Sequence, residues 1–250
     1  MIKRPYIILF FLAAIGYFLY NSQPDPVKTV PYSAVPLNDK IGEMLLIGFK
    51  GKSNAHPEIQ QISSYLESGK IGGVIFYDYN IQSPQQTKSL ISYFKKQRKD
   101  HSIFVAIDQE GGFVQRLPIS KGFKHYPSPY YLAQTTSPEE AFTKYLDMAS
   151  LLESLGFNLN FGTVVDININ PKSPAIGQLR RSYSSDPNVV TAYAGKMIDA
   201  HRERHVISAI KHFPGHGSAL QDSHKGFTNV VIEVIITALN RFKDPLNTAS

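Results

Sequence analysis

The sequence predicts an α/β fold with a parallel sheet, of the TIM-type (β/α)8 barrel kind, preceded by an N-terminal hydrophobic helix. Three observations in the body of the chain point to the barrel. The strand-like segments are continuous apolar, β-branched runs, as strands are when helices cover both faces of a sheet. Segments with helical spacing separate them one by one, which is the alternation of βα units. The polar clusters "DQEGGFVQR", "DININP" and "KHFPGHG" follow three different strands. A doubly wound sheet satisfies the first two observations as well as a barrel does. The third favours the barrel, because barrel strands converge at their C-terminal ends and residues from several of them can share one ligand.

Each element has its own signal. "HPEIQQISSYLESGK" carries apolar residues at helical spacing and ends near Gly69, and "IGGVIFY" is a short β-branched run. "SPQQTKSLISYFKKQ" offers Ser83 as N-cap, Pro84 at the first helical position and Gln86 where a capping box places it. "SIFVAID" is a buried strand ending in a carboxylate. "SPEEAFTKYLDMASLLESLG" repeats the Ser-Pro start with Glu140 as the capping partner, and Gly156 closes the helix. "NLNFGTVVDI" is a strand. "DPNVVTAYAGKMIDAHRER" is a helix capped by Asp186, with Pro187 first, and "VISAIKHF" is the next strand.

The first 22 residues differ from the body. Lys3 and Arg4 precede an uncharged apolar run, Tyr6 to Tyr20. Its length is marginal against the roughly 17 to 20 residues that a spanning helix needs. Tyr6, Tyr17 and Tyr20 suit a membrane interface, and the basic pair keeps the N-terminus cytoplasmic. No clean A-x-A cleavage site follows, so an uncleaved signal anchor is favoured over a cleaved signal peptide. Residues 23–36, with Pro24, Pro26, Pro31 and Pro36, have the composition of a linker. The expectation is an exported protein, anchored in the membrane and facing the periplasm or cell exterior, or secreted if the signal is cleaved.

Composition narrows the function. With 250 residues, 42% hydrophobic and 18% charged, the chain can bury a sizeable core. The net charge is +6; Lys3 and Arg4 account for two of those charges, leaving +4 for the rest. The other basic residues are scattered and form no stripe with aromatics, so no nucleic-acid partner is expected. The absence of cysteine excludes disulfides, thiolate metal sites and a cysteine nucleophile.

Two stretches carry chemistry. In "VAIDQEGGFVQRL", Asp108 ends a strand, Gly111 and Gly112 permit a tight turn, and Arg116 can return to the same pocket. A carboxylate and a guanidinium together suit the hydroxyls of a sugar, though a structural ion pair beside a glycine turn accounts for the stretch equally well. "IKHFPGHGSALQDSHKGF" places Lys211 and His212 at a strand end and Asp222 two residues before His224. A carboxylate against an imidazole fixes its tautomer and raises its basicity, as a general acid/base requires. A metal site of His212, His216, Asp222 and His224 competes, but Lys211 would set a like charge beside the cation. Structural loop histidines are the third reading. Arg180 and Arg181, at the end of a long polar loop, are by themselves no more than a solvated edge.

Taken together, "AIDQEGGFVQRL", "AIGQLRRSYSSDP" and "KHFPGHGSALQDSHKGF", with "IGEMLLIGF" and "GGVIFY", resemble glycoside hydrolase family 3 in order and spacing, in particular its β-N-acetylhexosaminidase branch. The resemblance runs from about Leu37 to Thr228. It implies a barrel without metal or other cofactor that removes terminal N-acetylglucosamine with retention of configuration, often in peptidoglycan turnover. It also implies that Asp108, Arg116, Arg181, Lys211 and His212 contact the sugar, with Asp222–His224 as the acid/base dyad. Arg180 stands where the family often has an acidic residue.

The resemblance also has limits. Retaining glycosidases use a carboxylate nucleophile, which in this family is an aspartate after a later barrel strand in a Ser-Asp-Asp-like context. The chain ends before that strand, and Glu233 and Asp244 match nothing of the kind. The expected organisation is therefore a signal segment over 1–22, a linker over 23–36, an incomplete barrel over 37–228 and an off-pattern tail over 229–250. Such a chain, left by premature termination, a frame change or a split gene, is expected to be unstable or inactive as a hydrolase alone. The alternative is a non-catalytic, membrane-tethered sugar-binding remnant.

Overall fold

A proline behind a capping side chain starts most of the longer helices, as the Ser-Pro and Asp-Pro signals require. The computed structural model describes residues 35–226 and residue 228. Helix α1 (Leu37–Glu43) leads into β1 (Leu46–Gly48). Helix α2 (Pro57–Glu67) begins at His56, whose Nδ1 accepts from the Glu58 backbone N–H. Strand β2 (Gly73–Phe76), α3 (Pro84–Lys95) and β3 (Phe104–Ile107) follow. A small hairpin, β4 (Gln109–Gly111) and β5 (Val114–Gln115), comes next, then α4 (Pro129–Thr135) and α5 (Pro138–Leu155). Strand β6 (Leu159–Val164), α6 (Pro187–Arg202) and β7 (Ile207–Lys211) complete the series.

The expected capping box is complete at α5. Ser137 Oγ accepts from the Glu140 N–H, and the Glu140 carboxylate accepts from the Ser137 N–H at 2.7 Å. At α3 only half of it forms. Ser83 Oγ accepts from Gln86, but Gln86 Oε1 accepts from Gln82 rather than from Ser83. The Gln86 amide nitrogen donates to the carbonyls of Lys52 and Asn80, which orients the other end of the group one residue back. Four short elements were not anticipated: α1, β1, α4 and the β4–β5 hairpin.

The main sheet has the order β1-β2-β3-β6-β7, with every pairing parallel. The order follows the chain without reversal, whereas a doubly wound sheet reverses at a switch point. The expected α/β class with a parallel sheet is therefore observed. The expected hydrophobic helix in residues 1–22, nearly all of the linker over 23–36, and the tail over 229–250 lie outside the described residues. No helix among the described residues is long and apolar enough to cross a membrane.

Two apolar clusters hold the helices to the sheet. Phe49, Phe76, Phe94 and Phe157 meet edge to face, with centroids 4.9 to 5.3 Å apart for Phe49–Phe76, Phe49–Phe94 and Phe76–Phe157, the geometry that ring quadrupoles favour. The second cluster joins α5, through Ala141, Tyr145 and Met148, to α6, through Val190, Ala194 and Met197. Tyr183, from the loop before α6, shares a 2.6 Å hydrogen bond between hydroxyls with Tyr145.

One polar group lies inside this layer. His201 in α6 is wholly buried; its Nδ1–H donates to the Met197 carbonyl and its Nε2 accepts from Asn160 Nδ2 at 2.9 Å. Asn160 in turn brackets the backbone N–H and carbonyl of Gln109. Burial pushes the His201 pKa down to about 4. The folded chain thus holds fewer protons than the unfolded chain between that value and about 6.5. The stability contributed by the neutral ring is complete above about pH 6.5 and is lost as pH falls to about 4, a change of about 3 kcal/mol. Urea denaturation of the wild type and His201→Gln across this interval should show the variant losing less stability on acidification. Parallel losses would contradict the assignment.

Candidate active site

All five strands of the main sheet run parallel, so the residues that follow β3, β6 and β7 emerge at one edge of the sheet. Asp108 and Glu110 leave β3, Asp166 leaves β6, and Lys211 ends β7 with His212 next. Gly111 (φ 93°) and Gly112 (φ 62°) turn the β4–β5 hairpin in the left-handed region. This turn returns Arg116 toward Asp108. The site is closed by the turn after β7. There a Cβ on Gly217 would overlap the Ile167 carbonyl oxygen, so only glycine lets the two backbones approach.

A cavity of about 510 Å³ opens at these strand ends. Asp108, Arg116, Arg181, Lys211, His212, Asp222 and His224 all face it, with Ile75, Val114 and Phe161 among the apolar walls. All seven residues expected from the sequence are therefore brought together.

Glu110, completely buried, organises the cavity floor. Its two oxygens take a bidentate pair of hydrogen bonds from Arg181 Nε and Nη2, both 2.8 Å, and Lys211 Nζ lies 2.6 Å from Oε1. Lys211 also donates to Asp108 Oδ1 at 2.8 Å. Burial opposes the charge on Arg181, but the Glu110 carboxylate outweighs it and holds the guanidinium above its ordinary range. Arg181 Nη2 also donates to His212 Nε2 at 2.9 Å. A guanidinium can only donate, so His212 carries its proton on Nδ1 and gives it to Asp166 Oδ2 at 2.5 Å. The other oxygen of Asp166 accepts from the His216 backbone N–H at 2.7 Å.

Asp222 and His224 form a second unit at the rim. Asp222 Oδ1 accepts from His224 Nδ1 at 2.8 Å and from the His224 backbone N–H at 3.0 Å. Both bonds hold the Asp222 carboxyl below its usual range. The His224 side chain is 83% exposed, so Nε2 stands open to an incoming group.

Arg116 shares the cavity with Asp108 but does not pair with it. Its guanidinium lies 5.6 Å from the centre of the Tyr77 ring, while Lys211 takes the Asp108 carboxylate. The structural ion-pair reading of that stretch is thus corrected: the hairpin directs the guanidinium across the aromatic face. The four side chains considered as a metal set are engaged separately, His212 with Asp166, His216 with Ser223, and Asp222 with His224. Sequence reasoning missed Glu110 and Asp166. Each sits at or just beyond the end of a β-branched run, the same signal that singled out Asp108.

The profile of the "Glycosyl hydrolase family 3 N terminal domain" matches residues 36–235, and the chain belongs to this family. It is 36% identical over 182 residues to β-hexosaminidase A of Pseudoalteromonas piscicida, covering 70% of this chain and 29% of the relative. Against the β-hexosaminidase of Haemophilus influenzae, identity is 35% over 184 residues, covering 72% of this chain and 49% of the relative. Among solved structures, a family 3 β-N-acetylglucosaminidase from Paenibacillus sp. superposes with a TM-score of 0.69 at 30% identity. That match covers 76% of this chain and 35% of that one. NagZ from Neisseria gonorrhoeae in complex with N-trifluoroacetyl-D-glucosamine superposes at 0.68 and 27% identity, over 78% and 57%. The chain spans about half or less of the length of these curated relatives.

Proposed function

We propose that this chain carries the sugar-binding and proton-donating half of a retaining β-N-acetylhexosaminidase acting on terminal N-acetylglucosamine of peptidoglycan-type glycans. The observation that carries the reading is the joining of two units on one cavity: the anchored set Asp108, Lys211, Glu110, Arg181 and His212, and the rim pair Asp222–His224. Relatives named β-hexosaminidase support the substrate class. The parallel sheet is read as an arc of a barrel that takes further strands beyond β7. The basic, apolar N-terminal segment is read as a membrane anchor placing the site outside the cytoplasm.

The chemistry follows from the geometry. Asp108 keeps one oxygen without a protein partner among the described residues, and with Arg116 and Lys211 it is set to bind sugar hydroxyls, while His212, both of whose ring nitrogens are engaged, holds the wall beside them. His224, protonated on both nitrogens, gives its Nε2 proton to the glycosidic oxygen as the bond from C1 to that oxygen breaks. Asp222 keeps Nδ1–H in place and stabilises the imidazolium. The neutral ring then takes a proton from the water that releases the sugar. The first step needs a carboxylate at C1. Among the described residues the cavity carboxylates are engaged: Asp108 with Lys211, Glu110 with Arg181 and Lys211, Asp166 with His212. The nucleophile is therefore assigned to a group outside the described residues.

That engagement also favours a second reading, a membrane-tethered protein that binds the sugar without cleaving it. Calorimetric titration with N-acetylglucosamine tests the site common to both. Binding is expected, weakened roughly ten- to hundredfold by Asp108→Asn, the loss of a charge-assisted hydrogen bond. Equal affinities would contradict the role of Asp108. Hydrolysis of a chromogenic N-acetylglucosaminide by the purified chain, abolished by His224→Ala, would contradict the second reading, in which the sugar is bound without being cleaved.

A further inference from the structure

We propose that Asp166, His216 and Ser223 form a clasp that positions the segment carrying His224, making His216 and Ser223 positioning residues. The proposal rests on the reading of His224 as the proton donor. The segment Leu220–Gly226 is mostly exposed: Leu220 is 84% exposed and the His224 side chain 83%. Its Asp222–His224 hydrogen bonds and the Lys225 N–H to Asp222 carbonyl bond are internal to it. Among the described residues, the hydrogen bonds that join it to the body of the protein run from Ser223 to His216, beside one from Thr228 Oγ1 to the Gly226 carbonyl just after the segment.

The clasp is anchored at its other end. Asp166 is buried after β6, and its carboxylate holds the His216 backbone N–H with one oxygen and the His212 ring with the other. The His216 carbonyl accepts from Ser173 Oγ, and the Gly217 carbonyl from the Asn170 N–H. The base of the turn is thus fixed, and the His216 ring reaches forward seven residues from it. Nε2 lies 3.0 Å from Ser223 Oγ and 3.4 Å from the Ser223 backbone nitrogen. A backbone amide can only donate, so Nε2 is the acceptor and the proton sits on Nδ1. Nδ1 is buried and has no partner among the described residues. A buried donor left unpaired is unfavourable, and here it accompanies the tautomer that closes the clasp. One carboxylate therefore sets both a sugar-facing ring, His212, and the base of the segment that presents the acid/base.

Hydrogen–deuterium exchange of the full 250-residue chain tests the clasp without requiring catalysis. Ser223→Ala should raise exchange across residues 220–226 roughly three- to tenfold, leaving the helices unchanged. Ser223→Thr, which keeps the hydroxyl, should restore protection, and His216→Phe, which keeps the ring volume, should reproduce Ser223→Ala. Nitrogen spectra of the histidine rings should show His216 as the Nδ1–H tautomer in the wild type and in Ser223→Thr. Unchanged exchange in Ser223→Ala, or an Nε2–H tautomer in the wild type, would overturn the proposal. Absent N-acetylglucosamine binding alongside the expected exchange pattern would instead remove the reading of the site and leave the clasp standing.

Discussion

Glu110→Gln is expected to lower the unfolding free energy by about 3–5 kcal/mol, the cost of removing one partner from a buried ion pair. Glu110 is completely buried and is met by Arg181 through two 2.8 Å bonds and by Lys211 at 2.6 Å. The amide keeps the shape and one acceptor but leaves two cations with less than their neutralising charge. A folded domain has only about 5–15 kcal/mol to lose, so the urea midpoint should fall clearly. Arg202→Gln, which removes an exposed pair with Asp199, should leave the midpoint where it was. Equal midpoints for Glu110→Gln and the wild type would show that Glu110 is not the organising charge of the cavity.

The largest kinetic effect is expected at His224. Azide, supplied as an external nucleophile, can attack C1 of an aryl N-acetylglucosaminide in place of a carboxylate. The bond to the aryl oxygen then breaks, and the departing oxygen takes the Nε2 proton of His224. With a poorly activated leaving group, the azide-dependent rate should fall about 100- to 10,000-fold in His224→Ala, the range of general acid catalysis. With a dinitrophenyl leaving group, which departs without a proton, most of that difference should vanish. Asp222→Asn should weaken the first rate and spare the second, because it acts only through the ring. Equal losses for both leaving groups would mean that His224 shapes the site rather than donating a proton.

The sequence was most legible where a local rule decides the structure. Ser83, Ser137 and Asp186 each cap the helix that begins with the next residue, because capping depends only on residues within one turn. The two- and three-residue strands β1, β4 and β5 are too short to show a period. The seven candidate site residues share one cavity because each lies at or beyond the C-terminal end of a parallel strand, or in the loops that follow. Their partners were not legible. Arg181 finds Glu110 across 71 residues, Lys211 finds Asp108 across 103, and His212 finds Asp166 across 46. No local pattern encodes pairings at such separations; they come from the convergence of strand ends. Lys211, expected as a sugar contact, bridges two carboxylates, Asp108 and Glu110.

The site is tested most directly by the histidine ring spectra of the 250-residue chain during titration with N-acetylglucosamine. The resonances of His212, in the cavity, and His224, at its rim, are expected to move together and saturate with one affinity. Those of His201, buried in α6, and of His56 and His101, remote from the cavity, should stay fixed. Saturable shifts at His56 or His101 with none at His212, or no shift at any ring, would contradict a sugar site at these strand ends.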